Sequence, residues 1–165
     1  MAINASSAPI YSVDSSSFMD WQARYYPPDV FPAILSRMER VARDGRLLFP
    51  ALVVEEIEKV GTELLKDWLK AQKGGLVPNA EVLKAALVIQ GQFPGLKDPK
   101  GLYEEADAYV IALAQARGGL VVTQETAAAE KHKPKRTHFI PDVCRELGIP
   151  CISLLGLMRR EGWTF

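Results

Sequence analysis

Four acidic residues stand where a hydrolytic centre could be assembled. Asp14 follows the apolar stretch Ile10–Val13, and Glu125 comes two residues after the apolar run Leu120–Thr123. Short β-branched runs bounded by breakers read as strands, so both acids fall just past strand ends. In an open parallel sheet that edge is where ligands bind. Asp107 shares a helical stripe with Ile111 and Ala114, at spacings of four and three that set all three on the face turned to the sheet. Glu56 begins a comparable stripe with Val53 and Val60, leaving Glu55 and Glu58 for water.

A carboxylate on an apolar stripe is costly unless something pairs with it. Four converging carboxylates repel until some take up protons. A divalent cation resolves both problems, and hard oxygen ligands select magnesium or manganese over zinc or copper. Such a cation binds a phosphodiester oxygen, lowers the pKa of an attacking water and neutralises the leaving oxygen. Phosphodiester hydrolysis is therefore the chemistry that suits an acidic cluster lacking a base histidine. Taken singly, each acid has another reading, as a solvated surface group or a helix-start carboxylate opposing the helix dipole. Asp142 also has two readings, a further ligand or a cap-like residue near its helix start, and the second is preferred.

Formal net charge is zero, so a polyanion must be drawn to a local patch rather than to the whole molecule. The one dense basic run is KHKPKR, residues 131–136. Following Glu125, its Lys131, Lys133, Lys135 and Arg136 would border the acidic edge and could hold nucleic-acid phosphates; a solvated loop is the other reading. His132, His138 and Cys144 do not match ordinary zinc spacings. Cys144 and Cys151 are the only cysteines, and free thiols in a reducing compartment are expected. Trp21, Tyr25, Tyr26 and Phe31 lie near the first acid, where packing is preferred over stacking on bases.

The elements that must position these groups are legible as patterns. Helices are expected at about 31–43, 51–60, 63–72, 79–90, 103–117 and 141–147, with Asn79 as a cap. Strands are expected at 10–13, 47–49, 120–123 and 151–154, and YYPPDVFP (25–32) as a turn-rich loop. Few, short, apolar strands separated by helices predict an α/β fold, a three-layer α/β/α sandwich on a short parallel sheet. With 165 residues, 48% hydrophobic and 24% charged, one soluble domain over 10–165 is expected behind a flexible tail, 1–9. The first residues lack a secretory pattern and no apolar run would span a bilayer, so a cytoplasmic location follows.

Three segments, VDSSSF (13–18), VVEEIEKV (53–60) and EADAYVIALAQARGGLVVTQE (105–125), resemble the acidic blocks of PIN-domain nucleases. The wording is most similar to a PIN-like branch of bacteria and archaea, through YYPPDVFP, VVTQE (121–125) and IPDVC (140–144). The resemblance implies a parallel α/β/α sandwich and Mg2+- or Mn2+-dependent cleavage of single-stranded RNA, often as a toxin opposed by an antitoxin protein. It makes Asp14, Glu56, Asp107 and Glu125 the catalytic metal ligands, with Ser16 and Thr123 as supporting hydroxyls. A homodimer is allowed. Departures are Glu125 where many members carry Asp, Ala108 where the nearest branch carries Pro, and a long KHKPKRTHF insert before IPDVC. The alternative function is a non-catalytic PIN-like module that binds RNA or protein. A phosphatase using Asp14 as nucleophile needs a second Asp where Ser16 stands.

Overall fold

The computed structural model describes residues 8–165; most of the expected tail, residues 1–7, lies outside the described residues. Its sheet has five parallel strands in the order β3-β2-β1-β4-β5: β1 Tyr11–Val13, β2 Leu47–Pro50, β3 Leu76–Val77, β4 Leu120–Val122 and β5 Cys151–Ile152. Central β1 pairs with β2 on one side and β4 on the other. The chain runs outward from β1 through β2 to β3, then returns across the sheet to β4. The crevice between β1 and β4 is therefore the point at which the direction of winding reverses, the usual ligand position of such sheets.

Helices flank the sheet as an α/β/α sandwich: α1 Ser15–Met19, α2 Pro32–Arg43, α3 Ala51–Val60, α4 Glu63–Ala71, α5 Asn79–Gln92, α6 Asp107–Arg117, α7 Ile140–Leu147 and α8 Leu154–Arg160. Pro32 suits the first turn of α2, where its missing N–H is not needed. Helix α6 is buried along most of its length, from Asp107 to Ala114, and lies against β1, β2 and β4. That burial explains its nearly continuous apolar sequence. Gly118, at φ +60°, ends α6 in the left-handed conformation that favours glycine. At Gly119 a side chain would collide with the Ile10 carbonyl 2.5 Å away, so a bare backbone lets β4 approach β1.

The serines after Asp14, to which the sequence pattern assigns no element, form α1, which runs into a π-helical turn, Asp20–Tyr25, ahead of the proline-rich loop. Three local expectations are corrected. The helix expected from 103 starts at Asp107, because the Ala106 N–H is taken by Glu56 Oε1 at 2.8 Å. Asn79 does not cap: it is already helical, and its Oδ1 accepts the Leu52 N–H at 3.1 Å, tying α5 to the start of α3. The last strand stops at Ile152, since Ser153 caps α8 by accepting the Gly156 N–H. The two-residue β3 was too short to show a period in the sequence.

At the opposite end of the sheet from the acids, Arg46 grips Glu161 through both guanidinium nitrogens, at 2.7 and 3.0 Å, and Tyr11 donates to the same carboxylate at 2.6 Å. These bonds fasten the end of α8 to the starts of β1 and β2. The Arg46 bonds hold the Glu161 carboxyl below the usual range, outweighing its partial burial. Glu161→Gln should therefore cost about 2 kcal/mol at neutral pH. A depressed carboxyl contributes its full stabilisation above the ordinary glutamate range and loses it as pH falls through the depressed value. Denaturant midpoints from pH 7 down to 2 should show wild type and variant converging in acid.

Candidate metal and phosphodiester site

Asp14, Glu56, Asp107 and Glu125 line one cavity of about 630 Å³, with Arg24, Lys59, Glu105 and Arg136 on the same walls. Asp14 is set by strand pairing: its N–H donates to the Val122 carbonyl at 2.9 Å, which locks the ends of β1 and β4 side by side. Its Oδ2 accepts from Ser16 Oγ at 2.7 Å and Thr123 Oγ1 at 3.0 Å. Those hydroxyls in turn accept the Gln124 and Glu125 N–H groups. The loop after β4 is thereby bound to Asp14, and both hydroxyl supports expected from the sequence meet the first acid.

Glu56 enters from α3, with Oε2 taking the Ser15 hydroxyl at 2.6 Å and Oε1 the Ala106 N–H. It couples the segment after β1 to the start of α6. Glu125 Oε2 accepts the Ile140 N–H at 3.1 Å, at the first residue of α7. Asp107 is 8% exposed, and its Oδ2 accepts from Arg136 Nη1 at 2.9 Å. The same nitrogen reaches Glu105 Oε2 at 3.4 Å and the Leu96 carbonyl at 3.0 Å.

Electrostatics ties these groups together. Burial, then the charges of Glu125 and Asp14, push the Asp107 carboxyl well above the usual range, and the Arg136 charge opposes this without cancelling it. Glu125 is raised by burial and by Asp14, against the bond from Ile140. Glu56 is raised by burial, against its bonds from Ser15 and Ala106, with Asp14 and Glu105 adding repulsion. Carboxylates that resist ionisation in a shared cavity are stabilised by added positive charge.

Among the described residues, no group of three or more His, Cys, Asp or Glu side chains stands arranged to hold a metal ion. The hydrogen bonds give the reason. Glu56, Asp107 and Glu125 are each drawn toward a different neighbour, and Arg136 supplies the positive charge beside Asp107. The donors are nonetheless all hard carboxylate oxygens, which suits Mg2+ or Mn2+.

The basic run divides. Arg136 alone lines the cavity, where it pairs with Asp107 and Glu105. Lys131 lies over the Phe139 ring, 4.4 Å from its centroid, while Lys133 and Lys135 are exposed outside the cavity. Asp142 takes a structural place: its Oδ2 accepts the Phe139 and Ala128 N–H groups, both at 2.9 Å, which bind α7 to the loop after β4. Several polar residues of the cavity were missed in the sequence. Lys59 follows Glu56 by three and so shares its helix face; Ser15, Arg24 and Glu105 carried no such signal. Both cysteines are free thiols. Trp21 packs edge-on against Trp68 at 4.9 Å, and Tyr26 against Phe31 at 5.5 Å. No helix among the described residues is long and apolar enough to cross a membrane.

The family described as Domain of unknown function (DUF4411) matches residues 11–165. The comparison with curated proteins returns no match.

Proposed function

The chain belongs to the DUF4411 family, and from its carboxylate cavity we propose a PIN-like, Mg2+- or Mn2+-dependent endoribonuclease that cleaves single-stranded RNA. The observation that carries this reading is the meeting of Asp14, Glu56, Asp107 and Glu125 from four separate places in the chain on one cavity at the sheet's switch point. Three of the four are held above the usual carboxyl range. A fold gains no stability from such a cluster, so a cation is its natural complement.

The four carboxylates would hold the ion, which supplies a polarised phosphoryl oxygen and an activated water. Ser16 and Thr123 fix the rotamer of Asp14, so that this acid is oriented before any ligand arrives. Arg24, Lys59 and Arg136 give the cavity its cations, which attract and position an RNA backbone. We read the protein as cytoplasmic and as the toxin of a toxin–antitoxin pair, the role that the resemblance to PIN nucleases implies.

A second reading is favoured by one observation. Arg136 already pairs with Asp107, as it would in a binding module that has given up catalysis. A labelled unstructured RNA incubated with Mn2+ or Mg2+ separates the two. Cleavage is expected, abolished by chelator and lowered on the order of a hundredfold or more in Asp14→Asn. Binding without cleavage by the wild-type protein in Mn2+ would leave the module.

A further inference from the structure

Beside the acidic cavity lies a second one of about 380 Å³. The two share Tyr103, Glu104, Glu105 and Asp107, so they form adjoining lobes of one cleft. We propose that the second lobe is a subsite for one unpaired nucleobase, preferring a base with an exocyclic amine over uracil. The identity of the polymer as single-stranded RNA rests on the ribonuclease reading above.

The lining decides the kind of occupant. Phe93, Leu96 and Ala108 make an apolar floor, and the first two come from the segment that links α5 to α6. Tyr103 stands at the junction of the lobes, 70% exposed, with Lys59 Nζ 4.4 Å from its ring centroid. An exposed aromatic ring beside an apolar floor is a stacking surface for a flat ring. The volume lies near the lower end of small-ligand pockets, about 300 to 1,000 Å³, which admits a base and sugar but no duplex.

Charge separates base from phosphate. This lobe carries Glu104 and Glu105, with Asp107 on the shared wall, against one cation, Lys97, so a phosphate entering it would meet three carboxyl groups to a single positive charge. The cations Arg24, Lys59 and Arg136 line the other lobe. A nucleotide therefore fits with its phosphate toward the acids and cations and its base in the apolar lobe. At the rim, Glu105 is engaged by the Asp98 N–H and Arg136, while Glu104, whose Oε1 takes the Tyr109 hydroxyl, keeps Oε2 as an acceptor, and the Gln90 amide both donates and accepts. Adenine, cytosine and guanine have an amine to donate to such acceptors, whereas uracil has none.

Short RNAs carrying a single 2-aminopurine, placed at each position in turn, test this in chelator, where binding is read without cleavage. At one position the fluorescence should fall at least about twofold on binding, as stacking on an aromatic ring requires. Oligo-A should bind about tenfold tighter than oligo-U. Tyr103→Ala, a change at an exposed side chain, should abolish the quenching and most of that preference, and Gln90→Ala should erode the preference while leaving the quenching. Quenching at no position, equal binding of oligo-A and oligo-U, or an unaltered Tyr103→Ala protein would each overturn the subsite. A parallel cleavage assay in Mn2+ keeps the two readings apart. Cleavage without base preference leaves the nuclease and removes the subsite. Quenching and preference without cleavage leave the subsite and remove the nuclease. Absence of any RNA binding removes both.

Discussion

Asp107→Asn is expected to melt above wild type in chelator, by roughly 1–2 kcal/mol, and to lose that lead in excess manganese. Asp107 is buried against Glu125, Asp14 and Glu56, and these repulsions together with burial outweigh its 2.9 Å pair with Arg136. Asparagine keeps the shape of the protonated acid and carries no charge to bury. The sign with pH follows from the direction of the shift. A carboxyl raised on folding makes the unfolded state the better acid, so stability falls as pH rises from the ordinary aspartate range toward the raised value. Wild type should therefore lose stability across that window while Asp107→Asn stays flatter, and the two should agree near pH 3. This is opposite in sign to Glu161, whose contribution is lost in acid, so the two carboxyls are distinguishable in one pH series. Manganese at about a hundredfold excess over its dissociation constant should add about 2.7 kcal/mol to the wild type and less to the variant. Equal manganese shifts, with no gain in chelator, would mean that the acids do not act together.

Arg136→Gln should separate metal affinity from RNA affinity. The guanidinium pairs with Asp107 and Glu105 and sits over the Phe139 ring, 5.1 Å from its centroid. Its removal leaves a buried carboxylate without its partner, and the metal-free variant should lose about 1–3 kcal/mol. The same change removes a positive charge that repels a cation and frees Asp107 Oδ2 to ligate. Manganese should then bind about tenfold tighter, a gain of about 1.4 kcal/mol. RNA binding should weaken, with a shallower salt dependence, because one phosphate-facing cation is gone. Arg136→Lys should fall between, since a lysine supplies charge without the planar fork. Weaker manganese binding in Arg136→Gln would make Arg136 a support of the metal site instead of its competitor. Glutamates substituted for Lys133 and Lys135 should change the salt dependence less than Arg136→Gln does, because both lysines lie outside the cavity.

The parts of the site legible in the sequence were those on regular elements. Strand ends delivered Asp14 and Glu125 to one edge because β1 and β4 are direct neighbours, and the i, i+4 stripe of α6 placed Asp107 against the sheet. The resemblance to PIN nucleases made Ser16 and Thr123 hydroxyl supports of the cluster, and both contact Asp14. What escaped lay largely outside the elements that the apolar pattern announces. Ser15 opens α1, a five-residue helix without a legible stripe, and Glu105 lies just ahead of α6, where its course depends on tertiary packing. The basic run offered four cations of equal appearance, yet only Arg136 turns inward, drawn by Asp107 and Glu105 as its side chain packs by Phe139. Composition carries no information about that choice. The apolar lobe was likewise invisible, because Phe93, Leu96, Tyr103 and Ala108 come together from a segment that reads only as a connecting loop and from the start of a helix.

Direct titration with Mn2+, followed by loss of the free ion's electron paramagnetic resonance signal, tests the four-carboxylate site most directly. A metal site at the β1–β4 crevice predicts saturable uptake by wild type, competed by Mg2+, with affinity reduced about 10- to 100-fold in Asp14→Asn. Glu58→Gln serves as the control, since Glu58 is exposed and pairs with Lys70 away from the cavity, and it should bind as wild type does. Equal uptake by wild type and Asp14→Asn, or equal weakening in Asp14→Asn and Glu58→Gln, would contradict a metal centre at these acids.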